Sequence, residues 1–147
     1  MQCSQLLAGS LGIAALLSIA GASPSTGTRA ACSVLSLAEV RAIVGTPVDI
    51  YAPGSSDPKV SGATTISNCT YTLGTPKAHS ARLTLMWASS AKLVETNDYY
   101  VKRHKELSRI KGDVLVLASV TSVNGEGRLE FIEAESQLLM AAALKKL

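Results

Sequence analysis

Two histidines, three cysteines and one basic cluster are the side chains best equipped for chemistry in this chain of 147 residues. His104 falls on the apolar side of a helical pattern beside Tyr100 and Leu107. An envelope hydrolase would use it as general base if a serine and a carboxylate converged on it through the fold. A hydrogen-bonded histidine at the core rim is the plainer reading. His79 lies in the polar turn Lys77-Ala78-His79-Ser80 and reads as solvated. No G-x-S-x-G elbow supports acyl transfer, and Gly125-Glu126-Gly127 lacks the lysine and the following helix of a phosphate cradle. Glu130, Glu133 and Glu135 match no calcium-loop spacing, and two cysteines without nearby histidines cannot complete a zinc site. The expectation is therefore no catalytic residue, no metal and no cofactor. Lys102, Arg103, Lys105, Arg109 and Lys111 form the densest basic cluster. It is either a contact patch for phosphates, acidic glycans or an acidic protein, or the solvated face of an amphipathic helix.

How the cysteines are read depends on the compartment. Residues 6–20 are uncharged, apolar and rich in small residues, and Ala20-Gly21-Ala22 is an A-x-A cleavage site. The run is shorter than the roughly 20 apolar residues of a membrane span. Residues 1–22 thus read as a signal peptide, with a second cleavage candidate as late as residue 30. The opening Met1-Gln2-Cys3-Ser4-Gln5 has no lysine or arginine, unlike an ordinary signal, which leaves a start further upstream open. Residues 23–31 read as a flexible spacer and 32–147 as one domain. A secreted or periplasmic protein is expected, with no stable membrane span after signal removal. Arg29 stands where a lipidation site needs an apolar residue before Cys32, so lipidation is not expected. Cys3 leaves with the signal. Cys32 and Cys69 remain as an even pair in an oxidising compartment, with a disulfide as the leading reading and two free thiols as the alternative. The net charge of +3 and an aromatic content of 4% argue against nucleic acid as a partner.

The elements that position these groups are legible in part. Ser36-Leu37-Ala38-Glu39 is a capping box, followed by the helical stripe Leu37, Val40, Ile43 and Val44, then Gly45 and Pro47 as stops. Residues 48–51 alternate as a short strand. Residues 66–73 form a strand with Cys69, Tyr71 and Leu73 on one face, pointing Cys69 toward Cys32. Residues 74–77 turn the chain into a strand over 81–88, with Leu83, Leu85 and Trp87 aligned. A helix is expected from 91 to about 107, broken by Lys111-Gly112-Asp113. Strands follow at 114–118, extending through 123, and at 128–132 after the Asn124-Gly125-Glu126-Gly127 turn. The tail, 133–147, reads equally as a helix or an inner strand. Asn68-Cys69-Thr70 matches a glycosylation sequon, and is read as chance inside a buried strand.

Cys32-Ser33-Val34-Leu35-Ser36-Leu37-Ala38-Glu39-Val40, then Gly45, then Cys69-Thr70-Tyr71, resembles a family of exported bacterial proteins and lipoproteins of unknown function. Its members open with a C-S-L-L-S-x-x-E-V-like motif and carry a later C-x-[YW] strand. The resemblance implies a disulfide-tied domain with helices on an antiparallel sheet, and supplies no catalytic residues. It covers the first half of the mature chain. Later, residues 120–127 look like a degraded form of the family's Gly-rich turn. The segment from Glu135 looks like the start of a strand that would normally turn into one more, so either that last strand is missing or the tail is a helix. A truncated member with impaired folding is one reading of that departure. The fold expected is α+β: an antiparallel sheet of four to five strands, two helices packed on one face, and one disulfide. The function expected is non-enzymatic binding, of an envelope protein or a small ligand, on the sheet's open face.

Overall fold

The computed structural model describes residues 27–45, 56–73, 79–103 and 106–147. The expected signal peptide, the strand at 48–51 and the turn at 74–77 lie outside the described residues.

The first helix, α1 (Leu37–Val44), follows from its local chemistry. The Ser36 hydroxyl accepts from the Glu39 N–H, and a Glu39 carboxylate oxygen accepts from the Ser36 N–H at 2.8 Å. Gly45 ends the helix at φ +68°, the left-handed conformation that a side chain disfavours. Val40 and Val44 are buried by it.

Strands β1 (Lys59–Ser61), β2 (Thr64–Leu73), β3 (His79–Trp87), β4 (Leu107–Lys111), β5 (Val114–Val123) and β6 (Leu129–Phe131) form one fully antiparallel sheet. The spatial order is β1-β2-β3-β5-β4, with β6 also on β5. Six strands exceed the four to five expected. The additional ones are β1 and β4. The helix expected to reach about 107 stops earlier: α2 spans Ser90–Arg103, and the chain then returns as β4. Leu107 and Ile110 are spaced for a helix, yet they occupy opposite faces of this strand. Lys111-Gly112-Asp113 is not a helix breaker. Gly112, at φ +60°, permits a two-residue hairpin in which Lys111 pairs with Val114.

Strand periodicity divides the core in two. Val114, Val116, Ala118 and Val120 of β5 meet Cys69, Tyr71, Ala81, Leu83 and Leu85 on the inner face. Leu115 and Leu117 point outward and pack with Leu93 of α2. Burial on both faces explains why β5 is apolar without alternation. The inner face carries α1 and the tail, which is a helix, α3 (Glu133–Lys146). Helices α1 and α3 are thus the two on one face, while α2, expected beside α1, crosses the other.

The disulfide Cys32–Cys69 ties the 3-10 turn Ala31–Ser33 to β2, with Cα atoms 5.0 Å apart. The packed domain begins before Cys32. Ala31 is fully buried and donates its N–H to Ser67 Oγ, and Arg29 donates to the Lys146 carbonyl at the end of α3. Lys111 Nζ donates to the Leu144 carbonyl of the same helix end. Both cations sit where a helix presents unpaired carbonyls and negative dipole charge.

One junction is made by a side chain. β4 pairs with β5 over Val114 to Ala118 and β6 over Thr121 to Val123, on the same side of β5. Val120, in the gap between them, donates its N–H to Ser136 Oγ at 2.8 Å and accepts from the Ile132 N–H at 2.8 Å. Ser136, at the start of α3, donates onward to the Ile132 carbonyl. The first turn of α3 therefore completes the sheet where no strand does.

Candidate functional site

Helix α2 covers only part of the outer face. Leu93 and Tyr100 pack over Leu115, Leu117 and Met86, toward the β5 side. Register places Asn68, Thr70 and Thr72 of β2, Ser80, Arg82 and Thr84 of β3, and Ser119 and Thr121 of β5 on the same outer face. These are almost all hydroxyl or amide side chains. Thr84 Oγ1 donates to Asn68 Oδ1 at 2.7 Å, and the Ser80 and Thr121 hydroxyls lie 3.0 Å apart. Thr84 and Ser119 are buried, so the groups this face presents are those of Asn68, Thr72 and Arg82, with Thr70, Ser80 and Thr121 half-buried.

Arg82 stands in the middle of this platform, between Thr70 and Ser119 in the ladder. Its guanidinium lies 4.0 Å from the Glu106 carboxylate, at the approach to β4, with side chains 56% and 24% exposed. Pairing at that distance and exposure leaves the guanidinium open to a further partner. Burial raises the Tyr100 phenol above its ordinary value, with Glu106 and Tyr99 adding in the same direction and Arg82 opposing. The Tyr100 phenol therefore stays neutral at physiological pH.

Along α2 runs an open groove of about 630 Å³, lined by Met86, Lys92, Thr96, Tyr99, Tyr100 and Arg103 among others. Tyr99 and Tyr100 meet edge to face at 5.7 Å, and the Arg103 guanidinium lies 5.7 Å from the Tyr99 ring centre. A quadrupole–cation contact of this kind fixes a long charged side chain along the groove wall.

The residues expected from sequence are distributed as follows. Cys32 and Cys69 are bridged, and Ser36 and Glu39 form their box. Lys146 bonds the Glu39 carboxylate from α3, and its hydrogen bond, followed by those from Ser36, lowers the Glu39 pKa to about 2. The four described members of the five-residue basic patch fall on two sides of the sheet. Lys102 and Arg103 line the outer groove, whereas Arg109 and Lys111 share the inner side of β4 with Leu107 and reach toward α3. The cluster was read from closeness in sequence, and the turn into β4 sends Arg109 and Lys111 to the other side of the sheet. His104 and Lys105 lie outside the described residues. Glu130 accepts from Asn124 in the turn and Glu133 from Gln137 on α3, so the carboxylates do not converge. Among the described residues no group of three or more His, Cys, Asp or Glu could hold a metal, and no helix is long and apolar enough to cross a membrane.

Sequence reading missed Arg82, Glu106 and the hydroxyl platform. Thr and Ser in strands are unremarkable one strand at a time, and only pairing of β2, β3 and β5 makes them a surface. Compared with protein-family models, curated proteins and solved structures, the chain gives no match in any of the three.

Proposed function

We propose that the protein is an exported, non-enzymatic binding domain of the cell envelope whose partner sits on the uncovered, hydroxyl-lined part of the outer sheet face. One observation carries the reading: α2 packs over Met86, Leu115 and Leu117 and leaves Asn68, Thr70, Thr72 and Arg82 beside it, next to an open groove. A surface of hydroxyls, an amide and a guanidinium favours a polar partner bearing several hydrogen-bonding groups, either an envelope protein or a small ligand. Export is supported by the apolar run at 6–20 and by the Cys32–Cys69 disulfide, which persists in oxidising compartments.

Two measurements test the reading. Intact mass, with alkylation before and after reduction, should give a mature start near Ser23 or Ala31 and two added alkyl groups only after reduction. A photo-crosslinking residue at Thr72, exposed on the outer face, should capture a discrete product in the cell envelope that the same residue at Glu133 does not. An uncleaved mass with free thiols would remove the export argument. Identical capture from both positions would remove the binding face.

A further inference from the structure

The two bonds at which an export leader could be cut would leave different first residues, and the fold tells them apart. A cut after Ala30 would make Ala31 the start of the chain. Ala31 is fully buried, and its N–H donates to the Ser67 hydroxyl at 2.7 Å. Ser67 gives its own proton to the Ser56 carbonyl, so it offers Ala31 only a neutral lone pair. After that cut the amide would be an ammonium at the same buried place. Burying a charge without a charged partner costs far more than burying a hydrogen-bonded amide. The cut would also remove the Ala30 carbonyl. That carbonyl accepts from the Ser33 N–H at 2.9 Å and from the Ser33 hydroxyl at 2.7 Å, closing the 3-10 turn that carries Cys32. Arg29 would go too, and with it the bond from its guanidinium to the Lys146 carbonyl at 2.8 Å.

We propose that the processing site is the Ala22–Ser23 bond, and that Arg29, Ala30 and Ala31 are the first packed residues of the mature domain. The step is a hydrolysis. One water adds across the peptide bond, leaving a carboxylate on Ala22 and an ammonium on Ser23. The enzyme class is a signal peptidase, which takes small residues at the first and third positions before the bond, here Ala22 and Ala20. Thr28 and Ala30 are small as well, so side-chain size alone does not choose between the two bonds. The packing does. A start at Ser23 puts the new charge ahead of the exposed Gly27, Thr28 and Arg29, where it costs the core nothing. The proposal rests on the export reading and is independent of the binding face.

The test joins N-terminal sequencing and intact mass of the exported protein to urea denaturation of three oxidised forms. These are residues 23–147, residues 31–147, and residues 31–147 with an acetylated N-terminus. The exported protein should begin at Ser23. The 31–147 form should have its unfolding constant raised about tenfold or more over 23–147, the usual effect of a buried group left unsatisfied. Acetylation turns the ammonium back into an amide and returns a carbonyl where Ala30 had one. It should therefore recover most of that loss, or restore folding if the free 31–147 chain does not fold. Loss of chain length alone would not be reversed in this way. The proposal is overturned if the exported protein begins at Ala31 or at any residue other than Ser23. It is equally overturned if 31–147 is as stable as 23–147, or if acetylation recovers nothing. A protein still beginning at Met1 would remove the export reading and this proposal together, whereas a start at Ala31 would remove this proposal alone.

Discussion

Ser136→Ala and Ser108→Ala delete the same oxygen from two serines that are 0% and 2% exposed, yet they should move stability in different directions. In Ser136→Ala the Val120 N–H loses its only acceptor at a place where no strand replaces it. The Ile132 carbonyl keeps its bond from the residue 136 N–H at 3.1 Å, so one buried donor is orphaned rather than two groups. An orphaned buried donor costs about 1–3 kcal/mol. Alanine returns up to about 0.5 kcal/mol through its higher helix propensity. The expected net loss is about 1.5 kcal/mol, or a fall in Tm of roughly 5–8 °C for a domain of this size. In Ser108→Ala no hydrogen bond is lost and an unsatisfied hydroxyl is removed. Its stability should stay within about 0.5 kcal/mol of the parent or rise by about 1 kcal/mol. Urea denaturation of the two oxidised variants, followed by circular dichroism, measures both. Equal losses for the two, or a Ser136→Ala domain as stable as the parent, would refute the argument that the α3 hydroxyl closes the sheet.

Three other perturbations follow from the same structure. Opening the Cys32–Cys69 bridge, by reduction or by the double serine variant, frees a loop of 37 residues. The chain-entropy relation puts the loss at about 4 kcal/mol, readable as a lower urea midpoint that returns on reoxidation of the parent alone. Glu39 has its pKa lowered from 4.5 to about 2, by Lys146 first and then Ser36. A depressed carboxylate stabilises the fold fully above the unfolded value and loses that stabilisation as pH falls. The Tm gap between the parent and Glu39→Gln should therefore be constant above about pH 4.5 and shrink steadily toward pH 2. A gap independent of pH would mean the ionised capping box and its lysine contribute nothing. Gly45→Ala places a side chain at φ +68°, and should lower stability by about 1–2 kcal/mol in thermal unfolding, with its D-alanine counterpart restoring the loss.

The sequence by itself determined what depends on neighbours along the chain. Helix α1 is written in Ser36, Glu39 and Gly45, because caps join groups three or four residues apart. Strand β2 is written in the alternation of Cys69, Tyr71 and Leu73, and that alternation also aimed Cys69 at Cys32. The tail stayed ambiguous because Ala, Leu and Met run together there with no period to separate strand from helix. Tertiary structure decided it: Ser136 reaches Val120, and Leu139 and Ala143 enter the core only if residues 133–146 coil. Tertiary structure also decided the residues just after α2. Leu107 and Ile110 suit a helix locally, but the hairpin at Gly112 pairs them with β5. That one turn put Arg109 and Lys111 on the opposite side of the sheet from Lys102 and Arg103. The hydroxyl platform was invisible for the same physical reason: it is assembled from residues on three different strands, and only their pairing brings those residues together.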